Sequence, residues 1–284
     1  METSDITKEK IALKKFDLKT MITNPSIIMI AKRGSGKSWA VRDFIYHIRD
    51  ISMGIIISPT ERMDPFYSKF FPDTYIYYNY KTEIIAKLLA RQIKIKEKNE
   101  ERIKAGKNPI DTRAFIVMDD CLAQKGEWIN DTPIKELLFN GRHYDITYIL
   151  TMQFSLSITP ELRTNFDYIF LLADDFTSNQ KRMFDHYAGM FQNFDHFRQI
   201  FTQLTSDYGV MVIVNRGARA QFWEKIYWYH ASRIPDEQII LGHKQFREFH
   251  SKNYNEAWRE KKQLFDADEY YKKRRKKYNI RKVD

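Results

Sequence analysis

The sequence has little of what marks secreted and membrane proteins. Its 284 residues include a single cysteine, Cys121, so no disulfide can form within the chain. No apolar run approaches the roughly 18 residues that a membrane-spanning helix needs. The first residues, Met1–Asp5, lack the basic and apolar regions of a secretory signal. These absences predict an intracellular protein in a reducing compartment, without a membrane partner.

Negative charge is scarce at the C-terminal end. Residues 271–284 hold eight lysines and arginines against one acid, which accounts for +7 of the net charge of +10. So dense a basic cluster favours a polyanionic partner, most often nucleic acid. A solvated tail or a nuclear-localisation signal has the same composition, and both alternatives stay open.

Short apolar segments alternate with helical patterns along most of the chain. Segments rich in isoleucine, valine, tyrosine and phenylalanine predict buried strands. They lie at 26–31, Gly54–Ser58, Tyr75–Tyr78, Ala114–Asp119, Ile146–Met152, Tyr168–Leu172, Tyr208–Asn215 and Phe222–His230. Helical periodicity is found at about 39–49, 82–105, 131–140 and 177–188. This alternation predicts an α/β fold in which helices flank a central, mostly parallel sheet.

Composition divides the chain into three parts. Residues 1–24 form an N-terminal lead-in, residues 25–234 an α/β domain, and residues 235–284 a basic, helical extension. Within the domain, residues 82–107 begin with an apolar helical face and continue as a run of lysine and glutamate. Such a run predicts a helix that projects into solvent, and contact with a neighbouring subunit or with DNA is the alternative.

The most informative segment is a glycine-containing loop between a predicted strand and a predicted helix. Gly34 and Gly36 allow backbone N–H groups to turn toward a phosphate, and Lys37 can reach the β- and γ-phosphates. The Ser38 hydroxyl is the expected ligand of Mg²⁺. The residues predicted to bind the nucleotide, ATP, are Ala31, Lys32, Arg33, Gly34, Ser35, Gly36, Lys37, Ser38 and Trp39.

One position departs from the usual phosphate-loop pattern. The pattern begins with glycine, whereas this chain has Ala31. Alanine is tolerated if the first turn of the loop avoids a positive φ angle. A glycine- and serine-rich turn that merely contains a lysine is the alternative, and the preceding strand and following helix argue against it.

Two acids end a strand in the middle of the chain. The apolar run Ala114–Met118 leads into Asp119 and Asp120. Asp119 is predicted to hold Mg²⁺, and Asp120 to act as the general base that polarises the attacking water. Alone, two acids after a strand could form an ordinary turn. The phosphate loop upstream favours a nucleotide-hydrolysing site instead.

Three further polar residues are candidates for phosphoryl-transfer chemistry. Gln153 ends the next predicted strand, where an uncharged side chain can sense the γ-phosphate and orient water. Arg142 and Arg163 flank that strand, and an arginine from a neighbouring subunit can stabilise charge on the γ-phosphate oxygens. Either arginine could instead be a structural ion-pair partner, so both are catalytic candidates with that alternative open.

Taken in order, these motifs resemble those of the genome-packaging ATPases of nucleocytoplasmic large DNA viruses. The likeness is strongest to the iridovirus and mimivirus forms within the FtsK/HerA superfamily, and it covers about residues 20–230. The matching segments are Ala31–Trp39, Val117–Leu122, Asn140–Tyr144, Thr151–Gln153, Pro160–Arg163 and Phe166–Phe170.

The resemblance implies an additional-strand P-loop fold of the RecA and FtsK/HerA type. It also implies a pentameric or hexameric ring that uses ATP to move double-stranded DNA into a preformed capsid, with capsid or portal proteins as partners. By position, Lys37 and Ser38 match the phosphate loop, and Gln153 matches the sensor. Asp119 and Asp120 match the Walker B pair, although the superfamily often has glutamate at the second position. A shorter base must sit closer to the water.

The resemblance also implies a place in the host-cell cytoplasm, at virus factories, and in the virion. Other functions stay open. A translocase or helicase of the same superfamily, acting in DNA processing, has the same motifs. A nucleoside or small-molecule kinase would leave Gln153 and the two arginines without a purpose. A non-enzymatic nucleic-acid-binding protein would leave Lys37 and the paired acids unexplained.

Overall fold

A nine-stranded sheet forms the centre of the protein. The computed structural model describes residues 11–154, 158–219 and 221–254. The strands are β1 (Lys14–Lys15), β2 (Ser26–Ile30), β3 (Met53–Ile57), β4 (Ile76–Tyr77), β5 (Ala114–Asp119), β6 (Ile146–Met152), β7 (Tyr168–Leu172), β8 (Val210–Val214) and β9 (Ile226–Tyr229). Their order in the sheet is β1-β9-β8-β7-β2-β6-β5-β3-β4. β8 is antiparallel to both neighbours, and the other described pairs are parallel.

Helices cover both faces of this sheet. They are α1 (Lys37–His47), α2 (Thr82–Lys104), α3 (Lys125–Trp128), α4 (Thr132–Asn140), α5 (Pro160–Arg163), α6 (Thr177–Tyr187), α7 (Phe194–Leu204) and α8 (Lys244–Asn253). Val41 and Phe44 of α1 belong to the buried cluster on one face, whereas Ile85 of α2 and Phe197 of α7 belong to the other. The predicted α/β class, with a mostly parallel sheet flanked by helices, is confirmed. Among the described helices, none combines the length and apolar character needed to cross a membrane.

Burial on both faces explains the apolar character of the central strands. Along β2, Ile28 and Ile30 pack into one cluster of the core, while Ile27 and Met29 pack into the other. A strand covered on both faces reads as a continuous apolar run rather than an alternating one. The predicted strands at the centre of the sheet, β2, β5, β6 and β7, therefore match the observed ones within one residue.

Four of the described strands and α-helices were not predicted: β1, α7 and the one-turn helices α3 and α5. β1 is a pair of exposed lysines in the N-terminal lead-in, and it joins the sheet through parallel pairing with Tyr227 and Trp228 of β9. Helix α7 buries Phe197 and Phe201, and the Asn193 side chain caps it by accepting the His196 N–H at 2.9 Å. The cap and the four-residue aromatic spacing were present in the sequence but were not used.

Strands β8 and β9 begin later than predicted. β8 starts at Val210 because Asp207 and Tyr208 adopt left-handed conformations, with φ of 48° and 57°, which cannot continue a strand. The predicted strand from Phe222 begins instead with a turn of 3₁₀-helix at Phe222–Glu224, and β9 follows at Ile226.

The long charged helix is present over residues 82–104. Its first half is anchored by apolar side chains and by Gln92, which is fully buried. The Gln92 side chain donates hydrogen bonds to the backbone oxygens of Thr112 and Tyr144, at 2.7 and 2.6 Å. Beyond this anchor most side chains of α2 are exposed, as the run of lysine and glutamate predicted.

The division into lead-in, domain and extension stays a prediction. Part of the predicted extension packs on the domain, because Phe246 of α8 stacks on Tyr75 at 4.1 Å and on Phe71 at 5.8 Å between ring centroids. The basic cluster at 271–284 lies outside the described residues.

Candidate nucleotide site

The phosphate loop connects β2 directly to α1. Gly34 and Gly36 have φ angles of 81° and 96°, a conformation that side chains with a Cβ atom rarely adopt. Gly36 is the N-cap residue of α1 and provides no side chain to cap the helix. The N-terminal end of α1, where the helix dipole favours negative charge, therefore opens onto the loop.

Ala31 stands where the phosphate-loop pattern has glycine. It is buried, its φ angle is not positive, and its N–H donates to the Met152 carbonyl at 3.0 Å. An alanine fits this position because the loop does not turn through a left-handed conformation until Gly34. Lys32 lies next, and it pairs with Asp175 and approaches the Phe176 ring at 4.3 Å.

The paired acids meet the phosphate-loop lysine. The Lys37 Nζ lies 2.8 Å from Asp119 Oδ1 and 2.6 Å from Asp120 Oδ2. The three side chains are only 12–18 % exposed. Burial by itself lowers the pKa of Lys37, but the adjacent carboxylates outweigh it and raise that pKa. Thr151 of β6 also donates a hydrogen bond to Asp119.

Asp120 has one oxygen available for a ligand. Its backbone is left-handed, with φ of 53°, and this turns the residue back toward the loop at the end of β5. Its Oδ1 atom is buried and has no hydrogen-bond partner among the described residues. A buried acceptor without a partner is rare in folded proteins and calls for a ligand, an ion or water.

These residues line one cavity of about 930 Å³ together with Gln153. β6, which carries Gln153 at its carboxyl end, is hydrogen-bonded to β2 on one side and to β5 on the other. The carboxyl ends of the three parallel strands thus place the loop, the acids and the glutamine at one edge of the sheet, where ligands bind in open α/β folds. Ser38 and Trp39 line the same cavity, as do Lys32, Arg33, Gly34 and Gly36.

Sequence comparison assigns the chain to a viral family. No match is found among models of known protein families. The uncharacterized protein L437 of Acanthamoeba polyphaga mimivirus is 45% identical over 246 residues, which are 87% of this chain and 85% of that protein. The chain belongs to this family of nucleocytoplasmic large DNA virus proteins. Another member, the uncharacterized protein 075L of Invertebrate iridescent virus 6, is 33% identical over 235 residues, 82% of this chain and 87% of that protein.

The fold of this viral family member is also found among solved structures. The DNA-packaging ATPase B204 of Sulfolobus turreted icosahedral virus superposes with a TM-score of 0.52 at 16% identity, covering 75% of this chain and all of that one. The genome-packaging NTPase B204 of Sulfolobus turreted icosahedral virus 2, in complex with AMPPCP, gives the same score at 14% identity, with the same coverage. The likeness confirms the predicted α/β fold with its mostly parallel sheet.

Two residues of the site escaped the sequence analysis. Glu61 is 2% exposed, and its carboxylate accepts the backbone N–H groups of Phe66, Tyr67 and Ser68 at 2.8–2.9 Å. This clamp holds the segment after β3 against the cavity, where Tyr67 lies beside Asp119. Burial and the neighbouring carboxylates raise the pKa of Tyr67 well above its usual value.

The Tyr67 hydroxyl, like Asp120 Oδ1, is a buried polar atom near the acids without a hydrogen-bond partner among the described residues. The side chain is 1% exposed, and its oxygen approaches Asp119 without forming a well-aligned hydrogen bond. A neutral phenol in this place can donate to a carboxylate or to a water. Tyr67 belongs to no sequence motif that would predict its role, because the hydrogen bonds to Glu61 bring it to the site.

The two candidate arginines lie away from the cavity. Arg142 precedes β6, and its Nη1 is 3.6 Å from Asp167 Oδ1, at the amino-terminal edge of the sheet. Arg216 approaches the same buried carboxylate at 3.3 Å. Arg163 lies in the short helix before β7, with its guanidinium 5.7 Å from the centroid of the Tyr187 ring. Among the described residues that line the phosphate cavity, neither candidate is included.

Proposed function

We propose that this viral protein is an ATP-hydrolysing motor that moves double-stranded DNA and packages a viral genome into a preformed capsid. The observation that carries the proposal is the meeting of Lys37 with Asp119 and Asp120 beside a left-handed glycine loop. This set provides a phosphate cradle, a cation and paired acids within one cavity. Two solved proteins of the same fold, named as a DNA-packaging ATPase and a genome-packaging NTPase, support the assignment.

Lys37 has two successive roles in this proposal. Its ammonium neutralises Asp119 and Asp120, as the short distances indicate. When a triphosphate enters, the same ammonium can turn to the β- and γ-phosphates, and the N-terminal end of α1 receives the remaining negative charge. Because Lys37 leaves the two acids for the phosphates, Asp119 and Asp120 become available for catalysis only when the substrate is present.

The residues present fit a magnesium ion. Mg²⁺ prefers oxygen ligands and is bound in nucleotide sites by one or two carboxylates, a hydroxyl and the phosphates. Asp119 and Ser38 would hold it, since both line the cavity. The ion supplies neutralisation of the charge on the β- and γ-phosphate oxygens.

Asp120 and Gln153 are assigned to the attacking water. Asp120 presents a buried oxygen without a partner, as a general base requires, and Gln153 faces the same cavity from the end of β6. Lys37 pairs with the other Asp120 oxygen. Because aspartate is short, the water must lie close to the end of β5.

An arginine from a neighbouring subunit is proposed to complete the site. Arg142 and Arg163 lie near the opposite edge of the sheet from the cavity of their own chain, so neither can reach its own nucleotide. In a pentameric or hexameric ring, one subunit's amino-terminal sheet edge can face the next subunit's cavity. Hydrolysis would then depend on assembly, because the arginine stabilises charge on the γ-phosphate.

Double-stranded DNA is the proposed track, and capsid or portal proteins are the proposed docking partners. The basic cluster at 271–284 gives the full chain a polyanion-binding segment. The viral relatives support a place in infected cells. Cytoplasmic virus factories and the virion are the proposed locations there.

The test is ATP turnover by the purified full-length chain with Mg²⁺. We expect Lys37→Ala to lose turnover because the variant has neither the phosphate contact nor the partner of the two acids. Lys181→Ala is the matched control, since Lys181 lies on α6 in an exposed pair with Asp185. Near-normal turnover of Lys37→Ala would remove the whole site assignment.

A further inference from the structure

The phosphate cavity extends past the loop on the side away from the acids. There it is lined by Tyr208 and Val210 of the β8 region and by His230, Ala231 and Arg233 after β9. These residues reach the same edge of the sheet as the phosphate loop because β8 is antiparallel, so that Val210 pairs with Leu172 at the carboxyl end of β7. The lobe has an apolar floor, Val210, which is 1% exposed.

Tyr208 is held over this lobe by a strained turn. Both Asp207 and Tyr208 are left-handed, and neither is glycine. The turn is tied to the end of β9, where His230 Nε2 lies 3.0 Å from the Asp207 carbonyl oxygen. Yet the Tyr208 side chain is 63% exposed. Strain that keeps a large ring exposed at the rim of a cavity is characteristic of ligand clamps.

The ring lies close to the phosphate loop. A Cβ atom built on Gly36 would lie 3.3 Å from Tyr208 Cδ1. The wall behind the ring is fixed as well, since the buried Asp43 of α1 accepts hydrogen bonds from Tyr229 and from the Ser232 N–H, at 2.6 and 2.7 Å. Tyr208 is therefore adjacent to the loop, in a lobe with rigid walls.

The direction in which a nucleotide would lie follows from the sheet order. Asp119 and Gln153 end β5 and β6, on one side of β2, and mark the end of the cradle where the γ-phosphate reacts. β8 and β9 lie on the other side of β2. A triphosphate that runs from the acids across the loop thus leaves its base next to Tyr208.

The other aromatic wall of the cavity, formed by Trp39 and Phe66, has a cation beside it. The guanidinium of Arg42 lies 5.0 Å from the Trp39 ring and 5.4 Å from the Phe66 ring. This cation occupies one face of the Trp39 ring, which is 46% exposed. The Tyr208 ring is the more exposed of the two, at 63% against 46% for Trp39.

We propose that Tyr208 is the platform on which the purine base of the bound nucleotide stacks, with His230 and Arg233 at the rim. The inference rests on the proposed ATP binding and adds the subsite that recognises the base. An aromatic platform accepts every base, so the subsite contributes affinity for a purine ring and discriminates weakly between purines.

The experiment compares two ligands that share the triphosphate and differ in the adenosine group, the base with its ribose. Dissociation constants of ATP and of inorganic tripolyphosphate are measured with Mg²⁺ for the full chain and for Tyr208→Leu, Tyr208→Phe and Phe249→Ala. Phe249 is the control, because it is 61% exposed on α8 and lies outside the cavity lining. We expect Tyr208→Leu to weaken ATP binding by about tenfold, which is typical of one stacked base, and to leave tripolyphosphate binding unchanged. Tyr208→Phe keeps a flat ring and should bind both as the wild type does.

The outcomes separate this subsite from the proposed function. If Tyr208→Leu weakens the binding of ATP and of tripolyphosphate equally, the ring only supports the loop. If ATP binding is unchanged, the base lies elsewhere. Either result overturns the proposal that Tyr208 stacks on the base. A wild-type chain that binds neither ligand would overturn the proposed function and the platform with it. Loss of tripolyphosphate binding in Lys37→Ala, with retention in Tyr208→Leu, supports both.

Discussion

Glu61 offers the sharpest test of how the site is built. Its carboxylate is almost completely buried, yet it accepts three consecutive backbone N–H groups, from Phe66, Tyr67 and Ser68. The perturbation is Glu61→Gln, which keeps the size of the side chain. Glutamine retains one acceptor oxygen and replaces the other with an amide group that cannot accept.

The expected loss of stability follows from the hydrogen bonds. Oε2 accepts from two donors and Oε1 from one, so glutamine leaves one or two buried N–H groups without a partner. Each unsatisfied donor costs about 1–3 kcal/mol. We therefore expect the free energy of unfolding of Glu61→Gln to fall by about 2–4 kcal/mol, and that of Glu61→Ala to fall further because all three donors lose their acceptor.

Urea unfolding followed by circular dichroism measures this difference. Glu100→Gln is the matched control, because Glu100 is exposed on α2 and an exposed substitution changes stability by about 0.5 kcal/mol or less. The clamp also holds Tyr67 beside Asp119, so ATP turnover should fall in Glu61→Gln under conditions where the variant is folded. A variant as stable as the control would refute the reasoning that Glu61 organises this segment.

Three further predictions concern the thiol, the arginines and the basic tail. Burial, reinforced by the charge of Asp119, raises the pKa of the Cys121 thiol. A disulfide reagent should therefore fail to label the thiol in the native chain and should label it fully in urea. Rapid labelling of the native chain would contradict the burial of Cys121. Arg142→Ala should lose turnover and regain part of it when mixed with Lys37→Ala subunits, since each supplies what the other lacks; normal turnover alone would make Arg142 structural. Deletion of residues 271–284 should weaken DNA binding and make it less salt-dependent. The slope of log K against the logarithm of the salt concentration should change by up to about 7 if eight phosphate contacts are lost. No change in the salt slope would return the segment to a solvated tail.

The parts of the site that were predictable are contiguous in sequence or fixed by parallel pairing. Gly34–Ser38 is one uninterrupted segment, and Asp119 follows a fully buried strand. Parallel strands bring their carboxyl ends to one edge, so the sequence order sufficed to place Lys37 near the acids. The 2.8 Å contact between Lys37 and Asp119 agrees with that expectation.

The parts that were missed depend on contacts distant in sequence. Tyr67 reaches the acids through the buried Glu61 clamp, which no periodicity reveals. Tyr208 reaches the loop because β8 reverses direction and because two residues adopt left-handed angles, and a bulky residue gives no local signal for either. β1 has no apolar pattern, since it consists of Lys14 and Lys15, which join the edge of the sheet by backbone pairing with β9.

The most direct test of the central claim is the rate of ATP hydrolysis by the assembled wild-type protein, measured with and without double-stranded DNA. A DNA-translocating motor couples turnover to its track, so we expect DNA to raise the rate several-fold, and Lys37→Ala to remove both the basal and the stimulated rate. An assembled protein that hydrolyses ATP equally fast with and without DNA would contradict the motor, even if the nucleotide site is correct.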